Sequence, residues 1–309
     1  MNYVLNVMIT CRDRPILTQK LIESLYETVN VFSEINIYTF DNLSELSDER
    51  MSIFSNLLKN KKIVYYSYDT QKSSHNCFSK AISFNRWINM MEVDNFILSN
   101  KDNQYKSKKH YYSLIDNDML FGRGWDEYFI SAIEQLETNL KNKENNIHYL
   151  VKWPGGIPGN ARKESRMYSI QNSFNRDNFQ IGTSGFGGGS GFWFMNFEMI
   201  NKLHWKNANY LNTYNSFKKH DTTTWSIIRE KLGQNNDLKY VCGVIPPHEE
   251  SNPLVIHLGS QFGSICNSEE YKDRNYNALK PTFLKKEQEI LNSSASEIFE
   301  LFKTKCNNW

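Results

Sequence analysis

The sequence predicts an α/β protein with a mostly parallel central sheet flanked by helices, an irregular second half and a C-terminal helix. Two observations lead to this fold class. Strand-like and helix-like segments alternate over about the first 150 residues, and a chain of 309 residues is long enough to bury a large core. Because parallel strands need crossover connections of helical length, such alternation favours a parallel sheet.

The first five predicted elements follow one another in strict alternation. Pro15 marks the start of the first helix, where its fixed φ and missing N–H are tolerated, and the apolar residues after it recur at helical spacing. The five elements are a strand at 3–10, a helix at 15–29, a strand at 35–40, a helix at 51–59 and a strand at 62–68.

The next elements are predicted with an interruption. A helix at 75–91, a strand at 111–115, a helix at 126–140 and a strand at 147–153 follow in order. The segment at 100–110 is polar, rich in lysine and without periodicity, so we expect a solvated loop or insertion there. Turn residues from Pro154 to Gly159 end the last of these strands. A helical stretch from about 284 to 304 closes the pattern, and we expect it to dock on the domain.

Composition excludes several classes of protein. The 36 Lys and Arg nearly balance the 34 Asp and Glu, so no global basic field indicates nucleic acid or an anionic membrane, although the lysines at 101–109 and 218–219 leave a local basic groove open. Five scattered cysteines without a C-x-x-C pair argue against a disulfide framework and a zinc ribbon, and favour a reducing cytoplasm. We expect no signal peptide at the first residues and no stable membrane insertion, because no apolar run approaches about 20 residues.

The triplet Asp116, Asn117 and Asp118 is the most informative candidate site. It follows a predicted strand, and ligands of open α/β sheets bind at the carboxyl ends of the strands. Mg²⁺ and Mn²⁺ prefer carboxylate oxygens that they share with the phosphates of a substrate. A D-x-D triplet in this position therefore predicts a metal and diphosphate site. Ordinary turn chemistry of Asp and Asn is the alternative.

A dense glycine cluster at 185–191 precedes the aromatic run at 192–194. Glycine permits close approach of the backbone, so the amides of Gly188 and Gly189 are candidates to face phosphates or a sugar ring. The cluster is neither a P-loop nor a dinucleotide fingerprint, because no Lys-Ser or Lys-Thr pair follows it and it lies far from the first strand-helix turn. A flexible connector is the alternative.

Two later residues are candidates for chemistry. Asp221 precedes a helical pattern, so it can cap that helix or serve as a general base. His257 follows an apolar run and therefore sits at a predicted strand end, where neutral imidazole could ligate Mn²⁺ or Zn²⁺ together with Asp116 and Asp118. A structural histidine is the alternative. Neither a zinc-protease pattern nor a G-x-S-x-G elbow is present in the sequence.

In this order the segments resemble the GT-A fold glycosyltransferases, most nearly the family 2 type that uses nucleotide-sugar donors. TCRDRP at 10–15 is similar to the strand end that lies against the nucleotide in that family, and FDNLS at 40–44 to the end of the second strand. KAISFNRWI at 80–88 resembles the helix before the D-x-D strand. The resemblance covers about residues 3–265.

The resemblance implies a role for each matching residue. Asp118 would bind the metal, and Asp116 would bind the metal or the ribose. HDTTTWSIIREKLG, from His220, is similar to the acidic motif that supplies the base of inverting members, and VIHLGSQFGS resembles the late histidine element that closes the metal site. The nucleotide-sugar contacts would be Thr10, Arg12, Asp41, Lys80, Asn85, Asp116, Asn117, Gly188 and Gly189; the metal ligands Asp116, Asp118 and His257; the base Asp221.

The resemblance also implies an organisation and a set of partners. Residues 1–150 would form the donor half, 151–270 the acceptor and catalytic half of the same domain, and 271–309 a helical extension. The cofactor would be Mn²⁺ or Mg²⁺, and the donor would be a UDP- or GDP-sugar. The enzyme would be a glycosyltransferase of hexosyltransferase type. The acceptor could be a saccharide, a protein or a modified nucleic-acid base, and the resemblance does not decide among them. It also leaves a homodimer open.

Two other functional classes are weighed against this hypothesis. A nucleotidyltransferase would share a nucleotide-binding sheet with carboxylate and metal chemistry, but it would need a glycine-rich first loop. Here that loop contains Arg12 and Arg14 and no glycine. A non-catalytic nucleotide- or carbohydrate-binding module would keep the fold, but the intact carboxylates argue against it.

Overall fold

The computed structural model describes most of the predicted donor half and separate segments beyond it. The described residues are 2–11, 14–42, 47–69, 83, 86–91, 107–141, 150–155, 166–170, 179–183, 189–196, 244–245, 254–258, 285 and 288–306.

Fifteen elements with defined bounds are present in these residues. The first eight are β1 (Asn2–Cys11), α1 (Pro15–Thr28), β2 (Phe32–Asn42), α2 (Asp48–Lys59), β3 (Tyr65–Asp69), β4 (Lys108–Asp116), β5 (Met119–Phe121) and α3 (Trp125–Lys141). The others are β6 (Leu150–Gly155), β7 (Arg166–Ile170), β8 (Phe179–Thr183), β9 (Gly189–Asn196), β10 (Val244–Ile245), β11 (Val255–His257) and α4 (Ala295–Cys306). A further helical segment spans 86–91.

The central sheet has six strands in the order β3-β2-β1-β4-β9-β6. The strands β3, β2, β1 and β4 are parallel, and β9 is antiparallel to both β4 and β6. Two small antiparallel sheets, β10-β8-β7 and β11-β5, accompany it. The predicted α/β class with a mostly parallel central sheet is thus confirmed.

Both faces of the central sheet are covered, which explains the almost uninterrupted apolar sequence of β1. Leu5, Val7 and Ile9 point into a core that α1, α2 and α3 complete. Met8, on the opposite face, packs in a second core with buried side chains of the helical segment at 86–91. This segment confirms the described part of the helix predicted at 75–91.

The segment at 100–110 differs from the expectation in its last residues. Strand β4 begins at Lys108, and Lys108 to His110 pair with the first residues of β1. The polar sequence is compatible with a strand there because Lys108 Nζ donates to Glu34 Oε2 over 2.8 Å and Lys109 Nζ to Glu134 Oε1 over 3.0 Å. The prediction of a loop was therefore wrong for these three residues, while 100–106 lie outside the described part.

The second half contributes β9 to the central sheet, where the sequence predicted irregular structure and a glycine-rich loop, and β6 confirms the described part of the strand predicted at 147–153. β9 lies between β4 and β6, and Phe192 to Met195 are fully buried. Gly189 already belongs to β9, so the end of the glycine cluster is strand and not loop. Pro154 and Gly155 likewise lie within β6, with an irregular register beside Gly155, although they were predicted to end it.

The C-terminal helix α4 docks on the domain, as expected. A capping box starts it, since Glu297 N donates to Ser294 Oγ over 3.1 Å and Ser294 N to Glu297 Oε2 over 2.7 Å. Phe299 packs against Gly122, where a Cβ atom would lie 2.5 Å from the ring. No helix in the described ranges is long and apolar enough to cross a membrane.

Candidate functional site

The strand order places a crevice beside the end of β1. From β1 the chain proceeds outward to β2 and β3, and it then returns to place β4 on the other side of β1. Such a reversal opens a crevice at the carboxyl ends of the two strands, where open α/β sheets bind ligands. Thr10 of β1 is in register with Asp116 of β4 at this edge. The D-x-D triplet thus begins at the topological switch point.

The turn after β4 is anchored to the first turn of α1. Asn117 and Asp118 connect β4 to β5, and Asn117 Nδ2 donates to Thr18 Oγ1 over 3.2 Å. Thr18 Oγ1 in turn donates to the carbonyl of Arg14 over 2.7 Å. The side chain of Asn117 is buried in this contact. In this structure Asn117 therefore fixes the turn, and its predicted contact with the donor stays a prediction.

Asp118 forms an ion pair with Arg14. Arg14 Nη1 lies 3.0 Å from Asp118 Oδ2, and the two side chains expose 10% and 11% of their surface. Arg14 directly precedes α1, at the helix end where the macrodipole disfavours a cation. The carboxylate of Asp118 compensates for this. No local sequence pattern indicated a role for Arg14, because its partner lies 104 residues away.

His257 is brought to the D-x-D turn by backbone pairing. β11 runs antiparallel to β5, with His257 in register with Met119, the residue after Asp118. The N–H of Leu258 donates to the carbonyl of Asp118 over 2.7 Å. The backbone of His257 is therefore adjacent to the turn, while its side chain lies outside the described atoms.

Asp41, at the end of β2, is engaged inside the protein. Its carboxylate forms an ion pair with Arg50, and Tyr66 Oη donates to Asp41 Oδ2 over 3.2 Å. Burial, followed by the negative charge of Asp41, raises the pKa of Tyr66 far above its ordinary value. The guanidinium of Arg50 also lies 5.7 Å from the ring centre of Tyr68. Arg50 is a second residue that sequence analysis missed.

The glycine-rich start of β9 lies at the same edge as the D-x-D turn. Because β9 is antiparallel to β4, its first residues lie near the carboxyl end of β4. Phe192 is in register with Ile115, and Gly189 precedes it and pairs with Gly155 of β6. The structure thus brings Gly189 to the candidate site.

The other predicted site residues fall outside the described part of the chain: Arg12, Lys80, Asn85, Gly188 and Asp221. Trp125 and Trp193 are fully buried in the apolar cores, so their side chains serve core packing.

The donor set at the turn fits a hard divalent cation. Asp116 and Asp118 supply carboxylates, and the register places an imidazole-bearing residue beside them. Among side chains that the structure describes, no three His, Cys, Asp or Glu residues cluster as a complete metal site. That set lacks the side chain of His257, so the three-residue site stays a prediction.

No family model and no curated protein matches the sequence. Among solved structures, the chain is similar to Staphylococcus aureus TarS. TarS 1-349, alone and in complex with UDP-GlcNAc, shows 12% identity and a TM-score of 0.41 over 97% of this chain and 75% or 76% of TarS 1-349. A longer TarS structure gives 12% identity and a TM-score of 0.40, and 45% of it is covered. At such scores the fold assignment depends on the strand order and register described above.

Proposed function

We propose that this protein is a nucleotide-sugar glycosyltransferase of GT-A, family 2 type, which transfers a hexose from a nucleoside diphosphate to an acceptor hydroxyl. The observation that carries the proposal is the position of the D-x-D turn. Asp116 is in register with Thr10 at the topological switch point, and the glycine-rich start of β9 lies at the same edge. Carboxylates and glycine amides at one sheet edge suit a diphosphate linked to a sugar.

The donor side of this proposal follows from the resemblance and the geometry together. Thr10 and Gly189 lie at the edge where a nucleotide would bind. Asp41 shapes the neighbouring strand end through its contacts with Arg50 and Tyr66. Arg12, Lys80, Asn85 and Gly188 complete the proposed donor contacts.

Asp116, Asp118 and His257 would hold Mn²⁺ or Mg²⁺. When bound, such an ion stabilises the negative charge that develops on the diphosphate as it leaves. The contribution of the described residues is to hold the proposed ligands in place. Asn117 and Thr18 fix the turn, and the bond from Leu258 N to the carbonyl of Asp118 ties the strand of His257 to it.

Asp221 is the proposed general base. It would remove the proton of the acceptor hydroxyl on the face opposite the leaving diphosphate, which gives inversion at the anomeric carbon. Asp221→Asn should therefore slow sugar transfer by about a hundredfold or more and leave donor affinity nearly unchanged. Equal losses in transfer and donor binding would instead make Asp221 a structural cap.

The proposal is tested by incubation of the purified chain with Mn²⁺ and a panel of UDP- and GDP-sugars. We expect release of the nucleoside diphosphate from at least one donor, faster with an acceptor hydroxyl present. Pyrophosphate release from a nucleoside triphosphate and a sugar phosphate would identify a nucleotidyltransferase. Donor binding without turnover across saccharide, peptide and nucleic-acid acceptors would identify a binding module.

A further inference from the structure

The predicted metal ligand Asp118 already holds a cation that belongs to the chain. Arg14 Nη1 lies 3.0 Å from Asp118 Oδ2, and each side chain keeps only about a tenth of its surface exposed. Contacts of this kind are charge-assisted hydrogen bonds, roughly twice as strong as neutral ones. A divalent cation that takes Asp118 as a ligand must therefore compete with the guanidinium of Arg14.

The backbone around this pair is fixed, while the arginine side chain has several rotatable bonds. The carbonyl of Arg14 accepts from Thr18 N over 3.0 Å and from Thr18 Oγ1 over 2.7 Å. The same hydroxyl accepts from Asn117 Nδ2 over 3.2 Å, so the start of α1 and the D-x-D turn form one unit. The guanidinium can thus exchange its anionic partner without movement of the turn.

We propose that Arg14 is a positioning residue that serves as a tethered counter-cation for Asp118. Without donor it holds the carboxylate and opposes the binding of Mn²⁺ or Mg²⁺. When a nucleoside diphosphate binds, its phosphate oxygens offer the guanidinium another partner, and Asp118 becomes available to the metal. This inference rests on the proposed function. It makes the binding of metal and of diphosphate mutually dependent, since coupling between two ligands is reciprocal.

The test is the affinity for Mn²⁺ alone, measured from the electron paramagnetic resonance signal of free Mn²⁺, with and without UDP or GDP. We expect Arg14→Gln to bind Mn²⁺ at least about fivefold more tightly than the natural chain when no nucleotide is present. The natural chain should gain affinity when the diphosphate is added, and Arg14→Gln should gain less. A merely structural role of Arg14 predicts the opposite sign, because a loosened turn binds metal more weakly.

Three variants keep the outcomes separate. Lys108→Gln removes one positive charge at the amino end of β4, at the other end of the strand from the site, and should leave Mn²⁺ affinity unchanged. Arg14→Lys keeps the charge and should not tighten Mn²⁺ binding. Asp118→Asn should abolish specific binding; if it does not, the proposed metal site itself is wrong.

Another result would overturn the role of Arg14 alone. This result is equal or weaker Mn²⁺ binding by Arg14→Gln while Asp118→Asn abolishes it. No specific binding by either the natural chain or Arg14→Gln, with or without UDP or GDP, would overturn the proposed metal site as well. If Arg14→Gln does not fold, the Mn²⁺ affinity of the natural chain is compared with and without UDP or GDP. An affinity that neither nucleotide changes contradicts the proposal.

Discussion

Two aspartate–arginine pairs lie at the carboxyl ends of nearby strands, and they differ in their access to water. Asp41, at the end of β2, and Arg50 of α2 expose 0% and 3% of their side chains, and the carboxylate of Asp41 also accepts a hydrogen bond from the hydroxyl of Tyr66. Asp118 and Arg14, after β4, expose about a tenth each. A fully enclosed pair holds the fold and has little freedom to exchange partners. The partly exposed pair lies where a ligand can reach it, so function is expected there.

Breaking the enclosed pair should have the largest effect on stability. Arg50→Met leaves the carboxylate of Asp41 buried without its counter-charge, and such a loss costs about 3–5 kcal/mol. Urea unfolding, monitored by circular dichroism, measures this loss in the free energy of unfolding. The double variant Asp41→Asn with Arg50→Met should recover much of the loss, because it removes both charges. Equal stability of the single variant and the natural chain would contradict the enclosed role of the pair.

Breaking the partly exposed pair should affect activity more than stability. Asp118→Ala should reduce Mn²⁺-dependent donor turnover by about a hundredfold, because it removes a proposed metal ligand. Its stability loss should be smaller than that of Arg50→Met, since the side chain of Arg14 can regain water. Donor turnover at limiting Mn²⁺ and urea unfolding provide the two measurements. Turnover equal to that of the natural chain at limiting Mn²⁺ would show that Asp118 is not a metal ligand.

The smallest effect is expected at an exposed pair that completes the comparison. Lys108 and Glu34 expose 28% and 44% of their side chains, so Lys108→Gln should cost no more than about 0.5 kcal/mol. Burial acts to raise the pKa of Glu34, but hydrogen bonds from Lys108 and Asn36 outweigh it and lower this pKa. The contribution of the pair is therefore present above the ordinary glutamate pKa and disappears as the pH falls through the lowered value. The trend is checked by urea unfolding of the natural chain and of Lys108→Gln across this pH range. A difference in their free energies of unfolding that does not change with pH would refute it.

The sequence predicted the elements whose signal is local. The apolar run of β1 and the spaced apolar residues of α1 carry their own pattern, and turn residues after β4 marked the end of that strand. Asp116 and Asp118 were found for the same reason, since a strand end is visible in a few consecutive letters.

What the sequence did not predict depends on contacts between distant residues. Arg14 reaches Asp118 across 104 positions, and the hydroxyl of Ser113 bonds to the carbonyl of Trp193 across 80. A run of glycines carries a loop signal, so the start of β9 was not expected to be in a strand. Only pairing with β4 and β6, which no local pattern encodes, makes it one.

The contact between Phe299 and Gly122 has a consequence for folding during synthesis on the ribosome. β5 directly follows the D-x-D turn, and it obtains its neighbours from β11 and from α4, which are synthesised much later. A nascent chain that has emerged only as far as the D-x-D turn therefore carries both carboxylates without the elements that cover the next strand. The ribosome must release α4 before this edge of the sheet is complete, so unfinished chains should not display a finished site.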